Sequence, residues 1–370
     1  MQLFQDLFDR SKQLNQAPCQ TKLAYHAQKG RYKIIHQALM IPDLPAPLHY
    51  FNFSTILGQP NVPMLRNPSA IKTTALDTVA VMSSVSAQML GQFNSYSLKN
   101  ECQIRNDYYQ FGGKEVLSGA FPEFRLQRQD SELSVDLKIV TKPIISHFTK
   151  LKLGMFEHWS LLCQCEGIIQ YKQQIFQIHQ MGAFEYARGM NIPYLPLCFF
   201  TYQMINLKDQ RQLLLAQLRN NFNQIIQSRI YLRDSHNLTA HMFDENVYFK
   251  VHRVYPKITT PNNQDMYLPR EFEWTFSDGK TTIQIQAQSR GDFKFGVAAG
   301  YVGSFTYQLK IDGYEEEGTA GYCEYIDCRP LKWQEKKNEG KSTNTIPETA
   351  VIALKDSKTQ ELRRIINRLE

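Results

Sequence analysis

The sequence predicts a mostly β protein: two tandem antiparallel β-barrel or sandwich domains, with a short helix at each end of the chain. Three observations carry this expectation. The first is an internal repeat. Gly182-Ala183-Phe184-Glu185-Tyr186 returns as Gly321-Tyr322-Cys323-Glu324-Tyr325, 139 positions later (321 − 182). Each copy follows a hairpin pattern, Cys165–Tyr171 turning to Ile175–His179 in the first half and Ser304–Lys310 turning to Tyr314–Gly318 in the second, and the two blocks align without a gap. The second is composition: 22 Phe and 19 Tyr in a chain that is 42% hydrophobic suit pleated strands and a large core. The third is the regular spacing of short alternating runs between turn residues, the pattern of sandwiches and barrels.

In chain order, residues 1–44 form a lead-in. Leu3, Phe4, Leu7 and Phe8 share one face of a helix expected over 1–14. That face would pack on the body of the protein or make a peripheral membrane contact. Pro42, Pro45 and Pro47 then bar a helix. The first domain, 45–190, opens with a strand at His49–Phe53. Strand candidates follow at Val79–Ser83, Asn94–Cys102, Asp107–Phe111, Glu123–Gln127, Ser134–Val140, His158–Gly167 and Ile175–Ala187, with Asn106-Asp107 and Gly112-Gly113 as turns.

Pro193 and Pro196 mark the joint to the second domain, 191–333. Leu197–Leu207 reads as a strand. Gln212–Arg233 is leucine-rich enough for a helix, but reads better as two strands about Asn220-Asn221-Phe222-Asn223. Val247–Tyr255, Glu271–Phe276, Thr282–Gln288 and Val302–Lys310 complete the domain, and Ser277-Asp278-Gly279-Lys280 is a hairpin signal. Residues 334–370 are a polar linker followed by a helix striped with Leu362, Ile365, Ile366 and Leu369. The repeat also reaches back to Phe124 and Phe272, which are 148 apart (272 − 124), so the first half carries about nine extra residues around Glu157-His158-Trp159.

Several function classes are excluded. The net charge of +7 is diffuse, with no basic stripe interleaved with aromatics, so no nucleic-acid partner is expected. No apolar run reaches the ~18 residues of a transmembrane helix. P-loop, Rossmann, nucleophile-elbow and zincin motifs are absent. The nine His are scattered without a pair at metal-ligand spacing, so the sequence implies no metal and no cofactor. The seven Cys are odd in number and form no C-x-x-C; with an N-terminus unlike a signal peptide, they predict free thiols and a cytoplasmic location.

The stretch Gly182-Ala183-Phe184-Glu185-Tyr186-Ala187-Arg188-Gly189 resembles the Gly-x-x-Asp-His-x-Trp-Gly signature of the carotenoid hydratase (hydroxyneurosporene synthase) and AttH-like superfamily. Glu185 stands at the acid position, Tyr186 at the His, Arg188 at the Trp, and Gly189 matches. The duplicated β pattern is similar over roughly residues 45–333. The resemblance implies two lipocalin-like barrels side by side, an architecture it shares with plant tocopherol cyclases and fungal lipocalin-like cyclases. It points to a bacterial branch that is a domain of unknown function.

Alternation puts Glu185 opposite Phe184 and Tyr186, and Glu324 opposite Cys323 and Tyr325. A Glu inside a barrel would be desolvated, its pKa raised, and fit to protonate an alkene or epoxide. In the alternative, both Glu face water and the Tyr fill the cores. Glu157 and Trp159 share a face and His158 opposes them; they read as a ligand wall with an acid–base group, or as a core Trp with a hydrogen-bonded His. His49 and Tyr50 would sit at the mouth of the first barrel. Arg188 and Asp327, at equivalent repeat positions, would pair across the domain interface.

The expected function is binding of a largely apolar small molecule, such as a terpenoid, sterol or polyketide, in the first domain. Glu185, Glu157 and His158 would carry hydration, cyclisation or isomerisation. Trp159, Tyr186, His49, Tyr50, Glu324 and Tyr325 would contact the ligand. A non-catalytic carrier or sensor using the same cavity is the alternative reading, and a scaffold recruiting a partner through the terminal helices is a third.

Overall fold

The computed structural model describes residues 9–16, 23–192, 194–296 and 298–330. The stripe of Leu3 to Phe8 and the C-terminal helix expected within 334–370 lie outside the described residues. The helix that is described, α1, spans Ser11–Gln16, later than the 1–14 expected. Asn15 ties it to the backbone of His147 through bonds of 2.8 and 2.9 Å.

The first sheet contains β1 (Tyr32–Ile41), β2 (Phe51–Leu57), β3 (Thr78–Val85), β4 (Phe93–Ser97), β5 (Cys102–Arg105) and β6 (Tyr108–Phe111). It continues with β7 (Glu115–Ala120), β8 (Glu123–Arg128), β9 (Leu133–Lys150), β10 (Phe156–Tyr171) and β11 (Gln174–Met190). Their order is 4-3-2-1-11-10-9-8-7-6-5, curled into a nearly closed barrel. The second half supplies β12 (Leu197–Asn206), β13 (Arg211–Asn220), β14 (Ile225–Asp234), β15 (Thr239–Phe243) and β16 (Val247–Val254). A small ladder of β17 (Ile258–Thr259) and β18 (Asp265–Met266) follows, then β19 (Pro269–Ser277), β20 (Thr282–Ser289), β21 (Lys294–Phe295), β22 (Tyr301–Ile311) and β23 (Tyr314–Asp327). This half-barrel sheet runs 15-14-13-12-23-22-20-19-16, with β21 on β22.

The two sheets repeat one topology, in which the last strand inserts beside the first. β11 pairs β1 with Glu185 opposite Ala38, and β23 pairs β12 with Glu324 opposite Tyr202. The repeated motif therefore lies on like strands. Its glycine answers a close approach in both copies: a Cβ at Gly182 would come within 2.8 Å of the Met40 carbonyl, and one at Gly321 within 2.4 Å of the Phe305 ring.

Each sheet encloses its own core. In the first, Phe51, Phe53, Trp159, Phe184 and Tyr186 belong to the interior, and the partly buried Leu23, Tyr25 and Ala27 pack against them. In the second, Phe199, Phe272, Trp274, Phe305 and Tyr325 do the same. The outer faces of β1, β2 and β11 meet those of β12, β13 and β23 in a third cluster that includes Ala38, Met40, Ala183, Tyr202, Met204 and Tyr322. β2 and β3 are thus buried on both faces.

Four expectations need correction. Tyr32–Ile41, assigned to the lead-in, is the central strand β1; its run lacks alternation because neither face is wet. Asn94–Cys102 is interrupted by a helical turn, α2 (Leu98–Glu101), with Ser97 as N-cap. Ser134–Val140 is part of the longer β9, which absorbs Pro143 at a register shift against β10. Arg188 and Asp327 do not pair: Arg188 binds Glu157 at 2.8 Å, and Asp327 binds Arg329 at 2.7 Å.

Cys102, Cys163, Cys165, Cys198, Cys323 and Cys328 are all free, and Cys19 lies outside the described residues. Titration under denaturing, non-reducing conditions should find seven thiols. A count below that would refute the free-thiol expectation. Among the described residues no helix is long and apolar enough to cross a membrane.

Candidate functional site

A cavity of about 970 Å³ lies between the sheets, where small side chains leave their outer faces apart. On β1, β11 and β10, the row His36, Ala187 and His158 lies next to the row Ala38, Glu185 and Ser160. Ala187 separates the two His at backbone level, and its short side chain lets their rings approach to 5.7 Å between centroids. Phe148, from the stretch of β9 that runs on toward Lys150, closes on His158 with ring centroids 4.7 Å apart. From the other sheet, Phe200, Tyr202, Ala216, Leu218, Glu324 and Ile326 complete the wall.

Glu185 is almost fully buried, 4% exposed. Its Oε2 lies 3.1 Å from His158 Nε2, and its Oε1 accepts a 2.9 Å bond from the Tyr202 hydroxyl across the interface. Burial acts to raise its pKa, but the hydrogen bond and charge of His158, the nearby His36 and the Tyr202 bond outweigh it and hold the carboxyl below its ordinary value. His36 Nδ1 lies 2.8 Å from the Thr55 carbonyl, which can only accept, so Nδ1 carries the proton and Nε2 is left bare. Burial, then the proximity of His158, push the His36 pKa down to about 4.

Glu324 behaves oppositely. Burial pushes its carboxyl up to about 7; a bond from Tyr322 opposes the rise and the charge of Glu185 adds to it. The Tyr322 hydroxyl donates to Glu324 Oε1 at 2.7 Å and accepts from Asn52 Nδ2 at 2.7 Å. One cavity thus holds two carboxyls whose surroundings drive their pKa values apart. Arg233, fully buried, reaches Ser160 at 3.1 Å, directly opposite Glu185 in register.

Of the nine residues named from sequence, three meet here: Glu185, His158 and Glu324. Glu185 faces the inter-sheet cavity, neither a barrel interior nor open water. The ligand cavity expected from the sequence is one within the first domain; the cavity that holds these three residues lies between the two sheets.

The other six sit elsewhere. Glu157 lies on the opposite strand face, paired with Lys150 at 2.5 Å and with Arg188. Trp159 and Tyr186 fill the first barrel, their rings 5.5 Å apart, and Tyr325 packs on Phe199 in the second. His49 holds a left-handed turn at φ 54° before β2. Tyr50, fully buried, packs on Tyr322 at 5.3 Å and takes a 3.2 Å bond from Lys294, whose pKa burial lowers to about 8. His36 and Tyr202 were missed. No local motif marks either one: pairing of β1 with β11 brings His36 near Glu185, and the packing of the two sheets brings Tyr202 there.

The fold and its inter-sheet cavity define a tandem lipocalin-like protein. The chain belongs to the family of unknown function DUF6670, which matches residues 54–340. No curated protein matches the sequence. Among solved structures it is similar to a candidate AttH from Nitrosomonas europaea, with a TM-score of 0.54 at 13% identity, covering 80% of this chain and 93% of that one. It is also similar to kievitone hydratase from Nectria haematococca, with a TM-score of 0.50 at 9% identity, covering 80% and 89%. These likenesses establish the fold, the tandem lipocalin-like architecture expected from the sequence.

Proposed function

We propose that this protein binds a largely apolar small molecule in the inter-sheet cavity and that Glu324 acts on it as a general acid, with hydration of a carbon–carbon double bond the best-suited reaction. The observation that carries this is a carboxyl with a pKa of about 7 in the wall of a mostly apolar cavity of drug-like size. Glu324 gives its proton to one alkene carbon. The faces of Phe148, Phe156 and Tyr202 stabilise the positive charge on the other. Water held at the His158–Glu185 corner adds there, and the proton it loses returns to Glu324, so alkene and water become an alcohol. The fold is shared with a hydratase, kievitone hydratase, which supports the reaction class.

The test is native mass spectrometry of the full chain from its source cell, beside Ala187→Phe. Ala187 separates His36 and His158, so a phenyl ring there occupies the floor of the cavity. Wild type should carry one apolar compound per chain and the variant none, with similar melting temperatures. Equal occupancy of both proteins, or no apolar compound on wild type, would overturn the reading.

A further inference from the structure

We propose that His36, His158 and Glu185 form a binding site for a divalent transition-metal cation that opens onto the inter-sheet cavity. The three residues come from β1, β10 and β11, and one ligand atom from each lies within 4.8 Å of the others. Bonds of about 2.1 Å to a cation require ligand atoms about 3–3.5 Å apart. His158 and Glu185 already meet this at 3.1 Å. His36 closes the remainder by tilting over Ala187, whose methyl group leaves the space.

The surroundings are those a metal site needs. The Thr55 carbonyl fixes His36 in the tautomer whose Nε2 lone pair is available, and no protein partner occupies that nitrogen among the described residues. The Tyr202 hydroxyl holds Glu185 Oε1, so Oε2, which faces His158 Nε2, is the oxygen that meets the cation, and the cation takes the place of the proton between them. Phe148 and Phe156 flank His158 at 4.7 and 6.5 Å between ring centroids, an apolar sheath that limits water access. Two imidazoles and one carboxylate favour Zn²⁺, Co²⁺, Ni²⁺ or Fe²⁺ over Mg²⁺ or Ca²⁺. All three residues line the cavity, so the cation's remaining positions open into it. A water there would sit at the corner from which addition is proposed; that role rests on the hydration reading, while cation binding does not.

Sequence spacing could not reveal this site. His36 and His158 lie in β1 and β10, far apart in the chain, so ligand spacing along the sequence carries no sign of them.

The test is titration of the metal-free full chain with Co²⁺, followed by its visible absorption and by calorimetry, with Mg²⁺ as control. The expected result is one Co²⁺ per chain with a d–d spectrum, no response to Mg²⁺, and Zn²⁺ displacing Co²⁺. His36→Gln and Glu185→Gln should each weaken binding at least about tenfold, and Tyr202→Phe by about 10–100-fold. His179→Gln, which removes a surface His paired with Glu166, should change nothing. Circular dichroism and melting identify any variant that fails to fold; the folded one of His36→Gln and Glu185→Gln then decides, and if both fail Tyr202→Phe decides. No Co²⁺ binding, or binding unchanged in the deciding variants, would overturn the site. Glu324→Gln leaves all three ligands in place, so loss of the acid role and loss of the metal site are read separately.

Discussion

Glu324→Gln should lower turnover of the co-purifying compound by roughly 10²–10⁴-fold while its binding stays near wild type and the variant stays folded. The glutamine keeps the shape and still accepts from Tyr322, whose hydroxyl is 2.7 Å from the carboxyl, but it has no proton to give. Wild-type turnover should fall as pH rises through about 7, because only the protonated carboxyl is competent. The sign for stability runs the same way. The folded state holds this proton up to about 7 while an unfolded Glu releases it near 4.5, so Glu324 contributes less stability as pH climbs across that interval. The melting temperature of wild type relative to Glu324→Gln should therefore decline from pH 4.5 to 7. The charge of Glu185 is one cause of the raised value, so Glu185→Gln should move the activity limb to lower pH. Unchanged turnover in Glu324→Gln would remove Glu324 as the proton donor, and full binding with no turnover by wild type would leave a carrier, a protein that holds its ligand without acting on it.

Trp159→Ala should remove about 3–5 kcal/mol of stability, read as a lower denaturant midpoint at constant slope. Trp159 has no exposed surface and packs between Tyr186 at 5.5 Å and Phe121 at 5.7 Å inside the first barrel, so truncation opens a void that close-packed neighbours cannot fill. Ligand affinity should change little in the folded fraction, because the indole lies on the barrel side of β10 while the cavity lies on the other. A large loss of affinity at unchanged stability would return Trp159 to the ligand wall proposed from sequence and move the cavity into the barrel.

The contrast between these variants turns on one physical point. A strand's side chains alternate, so the sequence places Glu157 and Trp159 on one side of β10 and His158 on the other, and sets Glu185 against Phe184 and Tyr186. The repeat, the alternation and the turn residues also determine by themselves that the chain is mostly β and duplicated, and that Glu185 and Glu324 are counterparts. They do not say which side is which. In a single barrel on its own, the outer face would meet water, and a polar residue would mark it. Here the outer faces of two sheets cover each other, so β1, β2, β11 and β12 are buried on both sides and polarity no longer reports direction. The same double burial hid β1 in what looked like a lead-in, and with it His36. Tyr202 meets Glu185 only through the packing of one half on the other, and Glu324 gains its raised pKa from that enclosure and from Glu185 across the gap. Those pairings belong to no local segment: they arise from the apolar area the two sheets bury together, and only the tertiary structure decides them.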